Sequence, residues 1–286
     1  MTNTSDYISG LAATQVAICA DDFGMDQAID DAIVDLGSRG RLTATSVLVD
    51  AIDGPDAVDA LEGLNLDVGL HLNFTEVLGC LRATDVMPLK RLIVSAQSRR
   101  LSSQWIQDNV ARQLDRFESL FGRSPDYVDG HLHIHQLPQI RDALLMELAS
   151  RDLPTGFWLR DTRAATAPYA AWSGRLKSWI IGHLGMEKLS RQASERGWFL
   201  NRGFYGVYNF AGEHQPFEQM ILQWLKSAES GALVMTHPAK QAIAGDPIGE
   251  SRVLEYEMLA SDAFGDLLGE LNVRLVRLSQ VLSLLP

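Results

Sequence analysis

Val16-Ala17-Ile18-Cys19-Ala20 runs directly into Asp21-Asp22-Phe23-Gly24, and an amphipathic segment follows over residues 26–38. The five apolar residues read as a strand buried on both faces, because no polar residue alternates with them. In the next segment Ile29, Ile33 and Leu36 share one helical face, and Gly40 lies just past its end. A buried strand leading into a helix is the repeating unit of a parallel sheet. The two carboxylates stand at the strand's carboxyl end, where folds of this kind carry their chemistry.

The unit recurs along the chain. Further strands are expected at 43–49, 68–72, 127–129, 156–159, 232–235 and 273–276. Helices are expected at 56–64, 103–121, 139–150, 174–195, 217–227, 252–268 and 278–285. Residues 75–102 show no clear period and read as an insertion or loop, a lid or rim over a pocket. Seven or eight such units in 286 residues predict a single distorted (β/α) barrel, TIM-like, in the α/β class. Periodicity alone leaves a doubly wound sheet open. No repeat, charge run or linker divides the chain, so residues 1–286 read as one catalytic domain, with residues 1–14 expected to be flexible.

Composition narrows the function. The chain carries 25 Lys+Arg and 36 Asp+Glu, a net charge of −11, which speaks against a nucleic-acid surface. Cys19 and Cys80 are too few for a disulfide framework and lack zinc-site spacing, which fits a reducing, cytoplasmic setting. Cys19 reads as a small core residue. The polar start does not resemble a secretory signal. No uninterrupted apolar stretch of about 18 residues is present, so no integral membrane association is expected. The oligomeric state is open, a homodimer included.

Four polar clusters fall at predicted strand ends, and five of the seven histidines lie in them. Asp21 and Asp22 are adjacent, so in a pleated strand their side chains point to opposite faces. One carboxylate can then bind a cation while the other handles a proton; a helix N-cap is the structural alternative. His71, in Gly69-Leu70-His71-Leu72-Asn73, is either a hydrogen-bonded core residue or a ligand. Asp129-Gly130-His131-Leu132-His133-Ile134-His135 spaces three imidazoles by two, which in extended chain puts them on one face. A divalent cation would relieve their mutual repulsion. His237 precedes Pro238 at a strand exit, as a turn residue or a proton donor. Asp, His and His around an open position make a hydrolytic metal site, and the chain has no phosphate-cradling loop or Gly-x-Ser-x-Gly elbow. Four of the six Trp lie between 158 and 198, with Phe204, Tyr205 and Tyr208 close behind, for core packing or for stacking on sugar rings.

These motifs, with Pro138, Phe121-Gly122-Arg123-Ser124-Pro125 and Arg252, resemble in order and spacing those of the YdjC-like carbohydrate deacetylases, over about residues 16–260. The resemblance implies a distorted (β/α) barrel that removes an N-acetyl group from an amino sugar with one divalent metal ion, zinc or magnesium. Carried over by position, Asp22, His71 and His131 would bind the metal, Asp21 would be the general base and His237 the general acid. Asn73, Asp129, His133, His135 and Arg252 would bind substrate or support the metal residues. The substrate would be an N-acetylated mono- or oligosaccharide. Ala239-Lys240 departs from the family pattern after His237-Pro238, where aromatic residues or Gly-Tyr are common. Two other classes remain: a different metal-dependent amidohydrolase or phosphoesterase, with two bridged ions, and a catalytically silent sugar-binding barrel.

Overall fold

The strand at 16–20 is longer than expected: β1 spans Thr14–Phe23 and carries both carboxylates within it. In this computed structural model, residues 12–163, 185–208, 210 and 216–285 are described. Val16, Ile18 and Ala20 pack outward against helices, while Ala17 and Cys19 pack inward with Tyr127, Trp158, Phe204 and Leu233. A strand covered on both sides has no polar alternation, which explains its apolar run.

The remaining strands are β2 (Ala44–Val47), β3 (Asp67–Leu72), β4 (Tyr127–Gly130), β5 (Trp158–Leu159), β6 (Phe199–Leu200), β7 (Phe204–Tyr205), β8 (Ala232–Thr236) and β9 (Val273–Leu275). Eight run in the order β6-β5-β4-β3-β2-β1-β8-β7, and β9 pairs with β1. Every pairing is parallel. β9 pairs with β1 at residues 14–16, whereas β2 pairs with it only from Cys19 onward. Among the described residues β6 and β7 do not pair with each other, so the curled sheet is a distorted, incompletely closed (β/α) barrel, as the count of units predicts.

The helices are α1 (Gln27–Ser38), α2 (Pro55–Asp59), α3 (Leu89–Gln97), α4 (Ser103–Phe121), α5 (Ile140–Leu148), α6 (Met186–Ser194), α7 (Phe217–Ser227), α8 (Gly249–Ala260), α9 (Asp262–Glu270) and α10 (Leu278–Val281). Their ends follow local chemistry. Asp26, not Asp21 or Asp22, caps α1 by accepting from the Ala28 N–H at 2.8 Å. α4 starts on Ser102 and stops at Gly122, whose φ of 65° ends the helix. It buries Ile106, Val110, Gln113, Leu114 and Phe117 along one face.

Several expectations are corrected. Residues 75–102 are not a plain loop, because they contain α3, which buries Leu92 and Ala96. The single helix expected at 252–268 is two, since Ser261 turns extended and caps α9 through Phe264 N–H. The two-residue strands β6 and β7 are too short to show a period. The expected helix at 174–195 falls largely outside the described residues, which include only its end as α6. Residues 1–11, expected to be flexible with 12–14, also lie outside them; Thr14 already belongs to β1. No described helix is long and apolar enough to cross a membrane.

Gly69 on β3 pairs in register with Tyr127 on β4, whose ring stacks on Trp158 at 4.0 Å. A Cβ at Gly69 would collide with that ring. Gly69→Ala is therefore expected to lower stability by about 1–3 kcal/mol, as for other overpacked cores. A urea titration measures this directly, and an unchanged midpoint would contradict the packing described.

Candidate active site

β1 breaks its regular pairing at the two carboxylates. Its register against β2 holds through Ala20–Thr45 and then slips before Phe23–Val47. Asp22 takes φ 72°, a left-handed conformation uncommon outside glycine. Asp21 keeps the inward sense of Cys19, whose Sγ lies 3.5 Å from its Oδ1. The irregularity turns Asp22 across the sheet end toward β3 and β4. The two carboxylates do separate as the sequence suggests, but by a kink rather than by the pleat alone.

Asp22 Oδ1 lies 3.1 Å from His131 Nδ1 and 3.5 Å from His71 Nε2. Its other oxygen, Oδ2, accepts from Arg252 Nη2 at 2.7 Å, and Asp246 holds Arg252 Nε at 2.6 Å. This gives Arg252 a role the sequence could not supply: it clamps Asp22 and leaves Oδ1 facing the imidazoles. On its far side His71 Nδ1 meets Asp129 Oδ1 at 2.6 Å. Burial penalises the Asp22 carboxylate, but hydrogen bonds from His131 and His71 and the Arg252 charge hold it well below its usual range.

Arg160, fully buried and just past β5, joins the other carboxylates. Its Nη1 and Nη2 each reach an Asp21 oxygen at 2.6 Å, and Nη2 is 2.6 Å from Asp129 Oδ2. Ser46 Oγ donates to the same Asp129 oxygen at 2.7 Å, with Tyr127 Oη 2.7 Å from Ser46. Burial would raise the Asp21 carboxyl, yet the Arg160 charge and hydrogen bonds keep it far below its usual range.

The histidine run is not extended. Leu132 and His133 have φ 54° and 60°, which kinks the chain inside the short turns of His131–Gln136. The three imidazoles therefore diverge instead of sharing a face. His131 faces Asp22, His133 lies edge-on to Phe204, and His135 Nε2 is 3.0 Å from the Arg160 carbonyl. Burial pushes His135 down to about 4 and His133 well below its usual value, so both are neutral at pH 7. Asn73 builds a turn: its Oδ1 accepts from the Thr75 and Glu76 N–H groups, and Nδ2 donates to the Glu76 carbonyl.

His237, just past β8, has Nε2 3.9 Å from Asp21 Oδ2. Its backbone N–H donates to the buried Glu255 at 2.5 Å, and its ring meets Phe210 edge-on. Burial pushes His237 down to about 4 and Glu255 up to about 7. Ala239 is buried and donates its N–H to the Arg252 carbonyl; Lys240 N–H goes to the Ala28 carbonyl. Trp158 is a core residue stacked on Tyr127, not a sugar platform. Trp172 and Trp179 lie outside the described residues.

The family model for YdjC-like proteins matches residues 15–270. The chain belongs to the YdjC-like family. A mouse protein named carbohydrate deacetylase is 26% identical over 214 residues, 63% of this chain and 68% of its own. A chitooligosaccharide deacetylase of Yersinia enterocolitica is 25% identical over 268 residues, 90% of this chain and 94% of its own. The same fold occurs in the crystal structure of an Enterococcus faecalis protein named for cellobiose-phosphate cleavage, with TM-score 0.68, 18% identity, and 95% of this chain and 100% of that one covered.

Within this YdjC-like site, two groups of described residues have ligating atoms close enough for a cation: Asp22, His71 and His131, and Asp21, His71 and Asp129. The first fits a divalent ion. Atoms bound at about 2.1 Å to one ion lie roughly 3.0–3.5 Å apart, the spacing of Asp22 Oδ1 from both imidazoles. His71 also has the carboxylate on its far nitrogen that commonly orients a metal-bound imidazole. The second group already surrounds the Arg160 guanidinium, which opposes a further cation. Around the first group, burial opposes protonation, but the neighbouring carboxylates outweigh it. They push His71 up to about 10 and His131 up to about 9, the mark of a pocket that attracts positive charge.

Sequence reasoning missed Arg160, Ser46, Glu76, Asp246 and Glu255. Arg160 follows an expected strand, so the strand-exit rule that found His237 applied to it too. Glu255 lies one turn after Arg252 on α8. Ser46 and Glu76 carried no signal. Arg160→Met would leave Asp21 and Asp129 buried without their counter-charge, and a stability loss of about 3–5 kcal/mol is expected. Equilibrium unfolding of the variant beside the parent protein measures it; a loss under about 1 kcal/mol would show that the buried cluster tolerates unpaired carboxylates.

Proposed function

We propose that this chain is a metal-dependent hydrolase that removes an N-acetyl group from an amino-sugar-containing carbohydrate, mono- or oligosaccharide. The observation that carries this is the convergence of Asp22, His71 and His131 at one sheet end, with Asp21 and His237 beside them. The names of the curated relatives, carbohydrate deacetylase and chitooligosaccharide deacetylase, supply the substrate class. A zinc or magnesium ion on Asp22, His71 and His131 would acidify a water and polarise the amide carbonyl.

The remaining work falls to side chains. Asp21 accepts the proton that the attacking water releases, and Arg160 fixes its orientation through both oxygens. That pairing makes Asp21 a weak base, suited to passing a proton on rather than keeping it. His237, neutral through burial and 3.9 Å from Asp21, is free to receive it. Its imidazolium would face the charges of Asp22 and Asp21, which favour it, and would protonate the departing amine. The products are acetate and the free amino sugar, and one water is consumed.

Two bridged ions would require Asp21, His71 and Asp129 to hold the second, where Arg160 already sits. A silent binding protein would need no proton-transfer pair. Acetate release from a panel of N-acetylated sugars tests the proposal. Activity should vanish on chelation and return with a divalent cation. Asp21→Asn and His237→Ala should each lower kcat by about 10²–10⁴-fold, the usual weight of general acid–base catalysis. Full activity after exhaustive metal removal would refute it, as would phosphate-ester turnover with two ions per chain and no acetate release.

A further inference from the structure

Each of the two imidazoles that face Asp22 is bracketed by two carboxylates. His71 presents Nε2 to Asp22 and Nδ1 to Asp129. His131 presents Nδ1 to Asp22, and its Nε2 lies 3.2 Å from Glu76 Oε1. A neutral imidazole carries one N–H, and the nitrogen without it offers a lone pair. A proton held toward the outer carboxylate leaves the lone pair aimed at the shared one. Asp129 thus selects the Nδ1–H form of His71, and Glu76 selects the Nε2–H form of His131. Both lone pairs then converge beside Asp22 Oδ1.

We infer that Glu76 is a positioning residue that fixes the ring and tautomer of His131 for cation binding, as Asp129 does for His71. This rests on the metal reading proposed above. The delivery of Glu76 is built into the fold. Asn73 and Gln113 are both buried; Gln113 on α4 accepts from the Asn73 N–H and donates to the Asn73 carbonyl, each at 2.8 Å. Asn73 in turn pins the backbone of Glu76 through three hydrogen-bonding contacts to residues 75 and 76. The buried Asn73 also accepts from the Thr75 hydroxyl at 3.3 Å, so every side-chain bond it makes goes to residues 75 and 76, which explains its place beside the motif histidine. Glu76 itself sits at the rim with 45% of its side chain exposed, and its contact to Nε2 is close but off the hydrogen-bond axis. A small rotation about its own side-chain bonds aligns it, as catalytic contacts tighten on loading. Asp129, by contrast, is fully buried and bonded to Ser46 and Arg160. The two supports therefore differ in rigidity, and Glu76 can be altered without opening the core.

The test uses full-length Glu76→Ala and Glu76→Gln beside the parent protein, with zinc as the probe. Zinc Kd is measured by competition with a chromophoric chelator. The alanine variant should bind about 10–100-fold more weakly, the usual cost of losing such a support, and the glutamine variant should fall between. The urea midpoint of the metal-free protein should fall far less in Glu76→Ala than in Arg160→Met, because Glu76 lies half-exposed at the rim. In the zinc-loaded parent the His131 Nε2 proton should give a downfield signal protected from exchange, and Glu76→Ala should lose it. Equal zinc affinity in parent and Glu76→Ala, with the signal retained, would overturn the role of Glu76 while leaving the metal site standing. A parent protein that binds no zinc or magnesium would overturn the metal reading itself, and this inference with it.

Discussion

The guanidinium of Arg160, enclosed between Asp21 and Asp129, is the interaction on which the rest of the site depends. Taking these charges out of water costs several kcal/mol per ion, and only close, multiple contacts offset it. Arg160 supplies them through two contacts to Asp21 and one to Asp129. It thereby sorts the carboxylates by task. Asp129, held by Arg160 and Ser46, is left to orient His71. Asp21 is immobilised next to His237. Asp22 keeps one oxygen toward both His71 and His131, because Arg252 takes only its other one.

Two guanidiniums, Arg160 and Arg252, meet four carboxylates, Asp21, Asp129, Asp22 and Asp246, and a fifth, Glu76, meets His131. The surplus is negative and centres on Asp22, His71 and His131. It gives the chain's net charge of −11 a local meaning. A cation at that point lowers the repulsion that the fold has concentrated there. Asp21, Asp22 and Asp129 are gathered at the carboxyl ends of β1 and β4, and the parallel ladder through β2 and β3 sets their spacing.

The fold was legible in the sequence wherever burial was uniform over several residues. The Val16–Ala20 run, the Ile106–Val110–Leu114–Phe117 face and the apolar run ending at Met235 give strong patterns because a sheet or helix covers them throughout. β6 and β7 are two residues each, and no period can appear in so short a piece. Ser261 breaks a helix by its own side chain, a local choice that the apolar spacing on either side conceals. At the site, Asp22, His71, His131 and His237 could be picked out because strands deliver them at one end. Arg160 stands at a strand exit too, but a lone Arg there reads as a surface cation unless its buried partners Asp21 and Asp129 are known. The even spacing of His131, His133 and His135 misled, because Leu132 and His133 adopt positive φ that their residue types do not announce. Glu76 is brought in by a turn that the Asn73 side chain builds, and Gln113 on α4, some 40 residues away, braces the Asn73 backbone.

The position of a bound divalent ion decides which of the carboxylates serve as ligands. Anomalous diffraction from crystals of the zinc-loaded protein locates it directly. The predicted result is one ion per chain, bonded to Asp22, His71 and His131, with the Arg160 contacts to Asp21 and Asp129 intact. An ion between Asp21 and Asp129 with Arg160 displaced would contradict it, and so would no ion at this end of the sheet.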